Sequence, residues 1–335
     1  MSNALQPVRN WGEILRTQNL SSGKTVDAVS RWLLITRASV FPMTILSGAI
    51  GGLLAVGAPG ADAGLFAVAL FGLIAAHAAN NMINDYFDLE GGVDSAAYVR
   101  AQYAPHPVLD GLISKRGLLA AIALANAIDL VVLLYLMNAR GPAMAIFALS
   151  GLFISVFYVA PPLKLKHRGL GEPGVFLVWG PLMVGGTYYA TAGAIEPWVL
   201  AASLPYALLV MSVLMGKHVD KLEADSAKGI RTLPVMLGRE RALQLTRALM
   251  IAFFALTAAL VAGGVMGIWA LLALAALPTA LRVLAVYRRP PPDEPPRNYP
   301  LWPLWYVSWA FVLTRSAGGY LVLGLALNAL WPFFL

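Results

Sequence analysis

Apolar runs long enough to cross a lipid bilayer recur along nearly the whole chain, and they restrict its fold more than any other feature. A bilayer offers backbone groups no water, so such runs must satisfy their hydrogen bonds internally, as an α-helix does. At about 20 residues per crossing, the sequence predicts nine helices: 32–58, 63–87, 117–138, 141–160, 173–194, 197–219, 240–263, 266–287 and 304–331. We therefore expect an all-α polytopic membrane protein.

Composition indicates the same class. The chain has 335 residues, of which 59% are hydrophobic and only 12% are charged, whereas soluble domains carry about 25% charged residues. The net charge of +7 lies in loops between apolar runs, which is typical of membrane topology and argues against nucleic-acid binding. The absence of cysteine excludes disulfides and cysteine-based metal or redox centres.

Residues 1–31 are polar and form a predicted cytosolic lead-in to a single membrane domain at residues 32–335. They contain no apolar segment of the kind that a cleavable signal peptide needs. Four apolar side chains would share one face of a short amphipathic helix lying on the bilayer: Val8, Trp11, Ile14 and Leu15. A disordered tail is the alternative.

The distribution of basic residues predicts the orientation. Lysine and arginine precede the first apolar run and follow the second, fourth, sixth and eighth, whereas the opposite loops contain essentially only Arg140. The positive-inside rule therefore places the N-terminus and the basic loops in the cytoplasm and the C-terminus outside.

The second apolar run ends in an acidic and amide-rich segment, residues 80–94. On a helix, Asn81, Asp85 and Asp88 fall within a sector of roughly 60°. Asn84 lies just outside this sector, and Asp94 follows a pair of glycines that should end the helix. Hard oxygen ligands of this kind suit Mg²⁺, and the alternative is a solvated helix end.

A second polar segment follows the sixth apolar run, on the same predicted side of the membrane. Lys217, Asp220 and Lys221 share a helix face, and Asp225 and Arg231 come shortly after. The two segments could meet across a cavity and hold a diphosphate, with carboxylates acting through Mg²⁺ and cationic groups acting directly. A salt-bridged helix end is the alternative.

Two arginines lie in or near predicted membrane helices, Arg37 and Arg315. Ionisable residues at membrane depth are candidates for function. Arg37 could instead extend its guanidinium group to the interface.

The chain resembles the UbiA-type intramembrane aromatic prenyltransferases over nearly its whole length. Their first motif is Asn-Asp-x-x-Asp followed by another Asp, and the matching residues are Asn84, Asp85, Asp88 and Asp94. Residues 104–114 are similar to the family's Arg-Pro-Leu-x-x-Gly-x-Ile-Ser segment, with His106 where arginine is common. Residues 232–238 are similar to the end of the second motif.

Two features are most similar to the 1,4-dihydroxy-2-naphthoate branch of menaquinone synthesis. One is residues 84–94, and the other is residues 158–172 followed by Gly-Thr-Tyr-Tyr at 186–189. The second family motif, usually Asp-x-x-x-Asp, is altered, because Lys221 stands at its first position and Asp225 at its second. Asp220 or Glu223 could replace the missing carboxylate, or Lys221 could contact the diphosphate itself.

The resemblance implies a Mg²⁺-dependent enzyme that transfers a polyprenyl group from an allylic diphosphate to an aromatic quinone precursor. The implied catalytic residues are Asp85, Asp88, Lys221 and Asp225. The implied metal ligands are Asp85, Asp88, Asp94 and Asp225. The implied substrate contacts are Asn81, Asn84, Lys217, Asp220, Arg231, Tyr158, Lys164, Arg168 and Tyr188. It further implies a central cavity, opening to the cytoplasm, in a bacterial inner-membrane protein.

Some of these assignments have simpler alternatives. The aromatic residues that could face an allylic cation are Tyr86, Phe87, Tyr158 and Tyr188, but aromatic residues often serve core packing or interface anchoring. Lys164, Lys166, His167 and Arg168 could attract an acceptor carboxylate, but basic loop residues are often topology signals.

Other functions also remain open at the level of sequence. A different acceptor is possible: 4-hydroxybenzoate, a tetrapyrrole, a lipid glycerol or a phosphosugar. An ion-coupled transporter would also place carboxylates near a membrane. Against transport, the sequence shows no obvious inverted repeat, and the acidic residues lie at helix ends on one face.

Overall fold

The computed structural model describes residues 5–21, 23–95, 97–297 and 299–335, and every regular element in these ranges is helical. The helices are α1 (Gln6–Thr17), α2 (Ala28–Ile35), α3 (Phe41–Leu54), α4 (Ala63–Glu90), α5 (Val99–Tyr103), α6 (Lys115–Arg140), α7 (Met144–Phe157), α8 (Gly171–Leu177), α9 (Met183–Ala192), α10 (Pro197–Asp220), α11 (Leu222–Ala227), α12 (Leu233–Leu237), α13 (Arg239–Ala262), α14 (Leu277–Val286) and α15 (Tyr306–Leu330). Shorter 3₁₀ segments cover Ala38–Val40, Leu165–His167 and Ile268–Ala276, and a π-helical segment covers Val178–Leu182.

Six helices are long and apolar enough to cross a membrane: α4, α6, α10, α13, Ile268–Val286 and α15. A seventh forms if α2 and Ala38–Leu54, which meet at a bend of 63°, count as one crossing. These helices make the chain an integral membrane protein of the all-α class. The predicted runs at 141–160 and 173–194 appear as the 14-residue α7 and as α8 and α9, which the π-helical segment separates.

Local sequence explains several of the helix boundaries. The side chains of Asp27, Asp62 and Ser114 accept hydrogen bonds from backbone N–H groups in the first turns of α2, α4 and α6, respectively. These groups have no partner within a helix, so such caps stabilise its start. The bend between α2 and α3 is at Arg37, whose φ of +54° interrupts the helical path.

The predicted amphipathic helix near the N-terminus is present as α1, and one side of it packs against the protein. Asn10 and Ile14 are buried, whereas Val8 and Leu15 are 53% and 42% exposed. Trp11 donates a hydrogen bond from Nε1 to Asp27 Oδ1 at 3.0 Å, which ties α1 to the start of α2.

Helix α10 lies at the centre of the bundle, where it packs against α3, α8, α9, α12, α13 and α15. Small residues allow close helix contacts, as in other membrane bundles. A Cβ atom added at Gly51 of α3 would lie 2.4 Å from the carbonyl oxygen of Val184 in α9. One added at Gly324 of α15 would lie 2.1 Å from the carbonyl oxygen of Trp269.

Candidate active site

A cavity of about 700 Å³ runs between the helices, lined mainly by α3, α4, α6, α7, α9, α10 and α15. Its lining along α4 extends from Ala69 to Asn84, which corresponds to about 22 Å at 1.5 Å per residue. One end is polar and is lined by Arg37, Asn80, Asn81, Asn84 and Lys217. The remaining length is largely apolar and is lined by residues such as Leu130, Leu133, Leu136, Met144 and Phe147.

Asp85 lies directly behind this polar end and is fully buried. Its carboxylate forms an ion pair with Arg37, which stands between Asp85 and the cavity. Arg100 Nε is 3.4 Å from the same carboxylate, and His106 Nε2 is 3.8 Å from it. The bend before α3, the end of α4 and the loop after α4 therefore bring three potentially cationic groups around one acid.

Asp94 joins this group because the chain folds back after α4. The backbone N–H groups of Val93 and Asp94 both donate to the carbonyl oxygen of Asp88, at 2.8 and 2.9 Å. His106 Nε2 is then 3.4 Å from Asp94 Oδ2. Burial would raise the pKa of Asp94, but His106 and the guanidinium groups of Arg100 and Arg37 outweigh it and lower that pKa to about 2. Asp94 therefore stays ionised.

Asp88 has a separate cationic partner, Lys166, whose Nζ donates to Asp88 Oδ2 at 2.7 Å. Lys166 belongs to the 3₁₀ turn after α7 and is buried. Burial opposes its protonation, but the charge of Asp88 and the hydrogen bond to it raise the pKa of Lys166 above its usual value. This pair connects the α7–α8 loop to the end of α4.

The second polar segment contributes Lys221 and Asp225, whose Nζ and Oδ1 atoms are 3.6 Å apart. The hydroxyl of Tyr98 donates to the same Asp225 oxygen. Lys221 Nζ and Lys228 Nζ lie 4.6 and 4.7 Å from the centre of the Tyr98 ring, which is within cation–π distance. The loop after α4 and the segment after α10 are thus in direct contact.

The pKa values in this second group reflect its position beside the first. Burial would raise the pKa of Asp225, but Lys221 and the other nearby cations outweigh it and lower that pKa. Burial and the positive charge of Lys166 lower the pKa of Lys221, against the attraction of Asp225. The proximity of the two lysines indicates a place suited to a further anion.

Unpaired polar atoms are concentrated in these two groups. Among the described residues, nine buried side-chain nitrogen or oxygen atoms lack a hydrogen-bond partner. Four of them belong here: Asn84 Oδ1, Asp225 Oδ2, and Arg100 Nε and His106 Nε2, the last two lying 3.4 Å from carboxylate oxygens without hydrogen-bond geometry. Since an unpaired buried polar atom costs about 1–3 kcal/mol, this concentration points to a ligand that completes the hydrogen bonding.

The donor set is suited to a hard divalent cation. One atom each from Asp85, Asp94 and His106 lies within 4.8 Å of the others. The carboxylates and the free amide oxygen of Asn84 are ligands that Mg²⁺ accepts, whereas the imidazole of His106 is better suited to softer metals. The residues present therefore fit Mg²⁺ through their oxygens.

Several other predicted residues lie at the cavity. Asn81 lines it and donates from Nδ2 to the carbonyl oxygen of Thr36 at 2.9 Å. Lys217 also lines it, and no carboxylate in the described part of the chain lies within ion-pair distance of its ammonium group. Tyr158 lines the wall beside them.

Asp220 does not join the candidate site. Its two carboxylate oxygens accept hydrogen bonds from the backbone N–H groups of Tyr306 and Val307, both at 2.9 Å. These groups lie in the first turn of α15 and have no partner within that helix. Contrary to the prediction, Asp220 therefore joins α10 to α15, because its position directs it to a helix start.

Four further predicted contacts lie away from the described cavity lining. Tyr188 is 4% exposed within the core and packs edge-on against Trp198, with ring centres 5.8 Å apart. Arg168 and Arg231 are exposed and are joined by an isolated backbone bridge between their loops. Lys164 lies in the same loop as Arg168 and has a φ of +44°.

Three important residues were not placed at this site from the sequence. Arg100 in α5 and Lys166 in the 3₁₀ segment after α7 are basic residues between the predicted membrane helices, which sequence patterns do not separate from topology signals. Their pairing with Asp85 and Asp88 depends on contacts between distant segments. Asp129, in the middle of α6, carries the only carboxyl group among the described cavity-lining residues, and its Oδ1 atom has no partner. Its position within an apolar run is the signal that could have identified it.

Comparison with known proteins gives a consistent result. The profile of the UbiA prenyltransferase family matches residues 44–305. A 2-carboxy-1,4-naphthoquinone phytyltransferase of Synechocystis is 27% identical over 230 residues, which are 68% of this chain and 72% of the relative. A 1,4-dihydroxy-2-naphthoate octaprenyltransferase of Bacillus subtilis is 24% identical over 219 residues, 64% of this chain and 68% of the relative.

Solved structures share the same fold. A UbiA homologue from Aeropyrum pernix superposes with a TM-score of 0.64 at 20% identity, covering 86% of this chain and 97% of that one. A UbiA homologue from Archaeoglobus fulgidus, bound to GPP and Mg²⁺, superposes with a TM-score of 0.60 at 18% identity, covering 88% and 99%.

Proposed function

Because the chain belongs to the UbiA prenyltransferase family and is a membrane-embedded prenyltransferase, we propose that it joins a polyprenyl group to 1,4-dihydroxy-2-naphthoate. The observation that carries this proposal is the arrangement of the site. Alternating carboxylates and cations, with four unpaired buried atoms, adjoin the polar end of a long apolar cavity. This is the environment that an amphiphilic diphosphate with an apolar tail requires.

The carboxylates would hold Mg²⁺ and the cations would hold the diphosphate. The proposed metal ligands are Asp85, Asp88, Asp94 and Asp225. When bound, Mg²⁺ would neutralise charge on the departing diphosphate. In the described part of the chain Lys217 has no carboxylate partner, and it faces the cavity, so its side-chain nitrogen is available to a diphosphate oxygen. Asn81 and Asn84 line the same end and would orient the diphosphate through their amide groups.

Arg37 and Lys221 would complete the anion site. Arg37 lies between Asp85 and the cavity, where its planar guanidinium group can pair with a carboxylate and a phosphate. Lys221 stands at the position where the family motif has an aspartate, and its place beside Lys166 favours a direct contact with the diphosphate. Asp225 remains the single carboxylate of the altered motif.

The apolar part of the cavity would bind the isoprenoid chain. Its walls come from α6, α7 and α9, with side chains such as Leu133, Met144 and Phe147. Such walls keep water away from an allylic cation, which would otherwise be captured as the alcohol. Tyr158 lines the cavity and would offer an aromatic ring to that cation.

The choice of acceptor is supported by the relatives and by one segment of sequence. The two relatives described above are named for naphthoquinone and naphthoate substrates. Residues 158–172 of this chain, which are similar to that branch, supply Tyr158 and Lys166 to the site. Lys164 and Arg168 lie in the same segment and would attract an acceptor carboxylate from solution.

We further propose how the chain lies in the membrane. Residues 1–31 precede one domain, 32–335, that crosses the bilayer about nine times, counting the bent and broken helices as crossings. The bias of basic loops supports a cytoplasmic N-terminus and a site open to the cytoplasm in a bacterial inner membrane. A cysteine-accessibility experiment tests this: cysteines introduced at Arg16 and Arg168 should react with impermeant reagents from the inside only.

Product analysis tests the reaction. The purified protein would receive Mg²⁺, a labelled long-chain prenyl diphosphate, and either 1,4-dihydroxy-2-naphthoate, 4-hydroxybenzoate or no acceptor. We expect a prenylated naphthoquinol by mass, with no product when Mg²⁺ is chelated. A product with 4-hydroxybenzoate alone would move the assignment to another branch. Prenyl diphosphate left intact with every aromatic acceptor would contradict the proposed reaction.

A further inference from the structure

We propose that Tyr158, His218 and Glu172 form a proton relay that accepts the proton of a ring hydroxyl on the aromatic acceptor as the prenyl group is transferred. The inference rests on the proposed function, because it assigns a role within that reaction. It concerns residues outside the proposed metal and diphosphate site, of which only Tyr158 was predicted to contact substrate.

The three side chains form a continuous line from a buried carboxylate to the cavity. Glu172 lies in α8 and His218 in α10, and their side chains are 0% and 1% exposed. Glu172 Oε1 is 2.6 Å from His218 Nδ1. His218 Nε2 is 3.4 Å from the hydroxyl of Tyr158, which lines the cavity.

The carboxylate determines how the imidazole is protonated. An ionised Glu172 can only accept hydrogen bonds, so the short contact requires the proton to be on Nδ1. Nε2 of the neutral ring then carries a lone pair directed at Tyr158, which is the arrangement a base needs. The distance of 3.4 Å is long for a hydrogen bond, and such contacts commonly tighten when substrate binds.

The other histidines lack this combination. His77 lines the cavity, but its Nδ1 atom pairs with the hydroxyl of Thr44, and the rings of Phe41 and Trp179 surround it. His106 Nδ1 accepts from the backbone N–H groups of Val108 and Leu109. In the described part of the chain, His218 alone combines a carboxylate on one nitrogen with a cavity-lining hydroxyl on the other.

A purely structural role accounts for only part of the arrangement. Glu172 Oε2 lies 3.4 Å from the backbone nitrogen of Leu233, so Glu172 also holds the start of α12. That contact does not require a histidine between Glu172 and Tyr158. Burying an ionisable pair is expensive and is retained mainly where it has a task.

Prenyl transfer breaks one allylic C–O bond, forms one C–C bond and moves one proton along the relay. The allylic C–O bond breaks and its electron pair leaves with the diphosphate, while a π pair of the acceptor ring forms the new C–C bond. The O–H pair of a ring hydroxyl becomes a C=O bond, and the released proton goes to the Tyr158 oxygen. Tyr158 passes its own proton to His218 Nε2. The imidazolium formed is stabilised by Glu172, in the manner of a catalytic triad.

The ring then regains aromaticity when its substituted carbon loses carbon dioxide from the acceptor carboxylate, since the pair of the broken C–C bond returns to the ring. The C=O pair moves back onto the ring oxygen, and the relay returns its proton to that oxygen. Tyr158 is the catalytic residue in this scheme, since it touches the acceptor. His218 and Glu172 act through Tyr158 and are positioning residues.

Most of the neighbouring charged groups are engaged elsewhere. Lys166 pairs with Asp88 and Lys221 with Asp225, and Asp220 accepts backbone N–H groups of α15. Lys217 precedes His218 in α10 and faces the cavity. These groups are the same in wild type and in His218→Asn. The difference between the pH profiles of kcat of the two proteins therefore reports on His218.

The experiment compares Tyr158→Phe, His218→Asn and Glu172→Gln with wild type in two assays: prenyl transfer, and acceptor-independent hydrolysis of the prenyl diphosphate. Loss of a general base typically lowers the rate by about 10²–10⁴-fold. We expect kcat for transfer to fall by about 10²-fold or more in Tyr158→Phe and His218→Asn. In His218→Asn, we also expect hydrolysis and KM for the prenyl diphosphate to change by less than about threefold, because the ionisation site is intact.

The pH profile and a matched control separate chemistry from structure. His218→Asn should change the pH dependence of kcat for transfer, whereas a purely structural effect would lower kcat to the same extent at every pH. Tyr206→Phe is the control, because the Tyr206 hydroxyl is buried in the core, has no partner and lies outside the described cavity lining. Its kinetics should match wild type.

Two results would overturn the relay. One is a kcat for transfer within about twofold of wild type in Tyr158→Phe and His218→Asn. The other is an equal loss of transfer and hydrolysis, which would mean that Tyr158 serves only the diphosphate. A wild-type protein that hydrolyses prenyl diphosphate but prenylates no phenolic acceptor would overturn the proposed function and the relay together.

Discussion

At the scale of single residues, charge pairing is the main feature of the candidate site. Each of the predicted metal ligands has a basic residue beside it: Arg37 and Arg100 at Asp85, Lys166 at Asp88, His106 at Asp94, and Lys221 at Asp225. The charges of these groups therefore nearly cancel. An incoming diphosphate can pair with the basic side chains while the cation pairs with the carboxylates, so that no charge is left without a partner.

Asp85→Asn should lower prenyl transfer by about 10²-fold or more while leaving the protein in the membrane fraction, because a metal ligand is lost. It should also destabilise the protein by about 3–5 kcal/mol, since Arg37 and Arg100 stay buried without their acid. Activity and thermal unfolding in detergent measure the two effects. Asp88→Asn provides the comparison, and normal activity in both variants would contradict the metal-site assignment.

Lys221→Asp restores the residue that the family motif usually has, yet we expect it to weaken turnover. The new carboxylate would lie beside Asp225 and remove a positive charge that adjoins Lys166. Steady-state kinetics with varied prenyl diphosphate should show a higher KM. Lys221→Met removes the charge without adding an acid and separates the two causes. Faster turnover in Lys221→Asp would mean that Lys221 does not contact the diphosphate.

At the scale of helices, the site depends on how α10 and α15 are joined. Asp220 accepts two backbone N–H groups at the start of α15, while Lys217, one turn earlier in α10, faces the cavity. Neighbouring polar residues on one helix therefore have separate tasks. The helical spacing of Lys217 and Asp220 in the sequence does not predict these separate roles. The position of α15 determines which of the two side chains contacts the backbone N–H groups at the start of that helix.

Asp220→Asn should reduce stability and leave the chemistry intact. An amide can replace only one of the two acceptor oxygens, so we expect a loss of about 1–3 kcal/mol. Thermal unfolding should shift downwards, while kcat per folded molecule stays within about twofold of wild type. A large fall in kcat at unchanged stability would instead return Asp220 to the substrate site.

A second helix contact, between α1 and α2, should respond to acid. Asp27 caps α2 and also accepts from Trp11. The hydrogen bond from the Ser30 side chain, and further ones from backbone and Trp11 groups, lower its pKa from 3.8 to about 2 despite some burial. Because the folded pKa is depressed, this stabilisation is complete above pH 3.8 and is lost as the pH falls through about 2.

Hydrogen exchange of α1 measures this contact. Protection should be constant near neutral pH and should fall below pH 4 in the wild type. Asp27→Ala should lower the protection of α1 at neutral pH by about fivefold, which corresponds to a cap loss of about 1 kcal/mol. Equal protection of α1 in wild type and Asp27→Ala would show that Asp27 does not hold this helix.

At the scale of the whole molecule, apolar patterning was sufficient to predict the class and most helices. The first motif could be placed at the end of α4, since glycines and charge mark that end. Partners from distant segments could not be predicted, because Lys166 reaches Asp88 across 78 positions of sequence and Arg37 reaches Asp85 across 48. Such pairings depend on helix packing, which local propensity does not encode.

Broken helices limited the prediction in a second way. The run at 173–194 reads as one uniform apolar helix, yet a π-helical segment containing Pro181 separates α8 from α9. This break coincides with the cavity wall, where Val178, Trp179 and Leu182 line the cavity. Irregular backbone at membrane depth is tolerated where it is enclosed by protein or lines a cavity.

The central claim is that the groups around Asp85 and Asp225 together bind a prenyl diphosphate with Mg²⁺. Calorimetric titration of a non-hydrolysable prenyl thiodiphosphate into wild type, Asp85→Asn and Asp225→Asn, with and without Mg²⁺, tests it most directly. We predict Mg²⁺-dependent binding in wild type that weakens by about tenfold or more in each variant, a loss of about 1.4 kcal/mol or more. Equally tight binding in all three proteins, with or without Mg²⁺, would contradict the account.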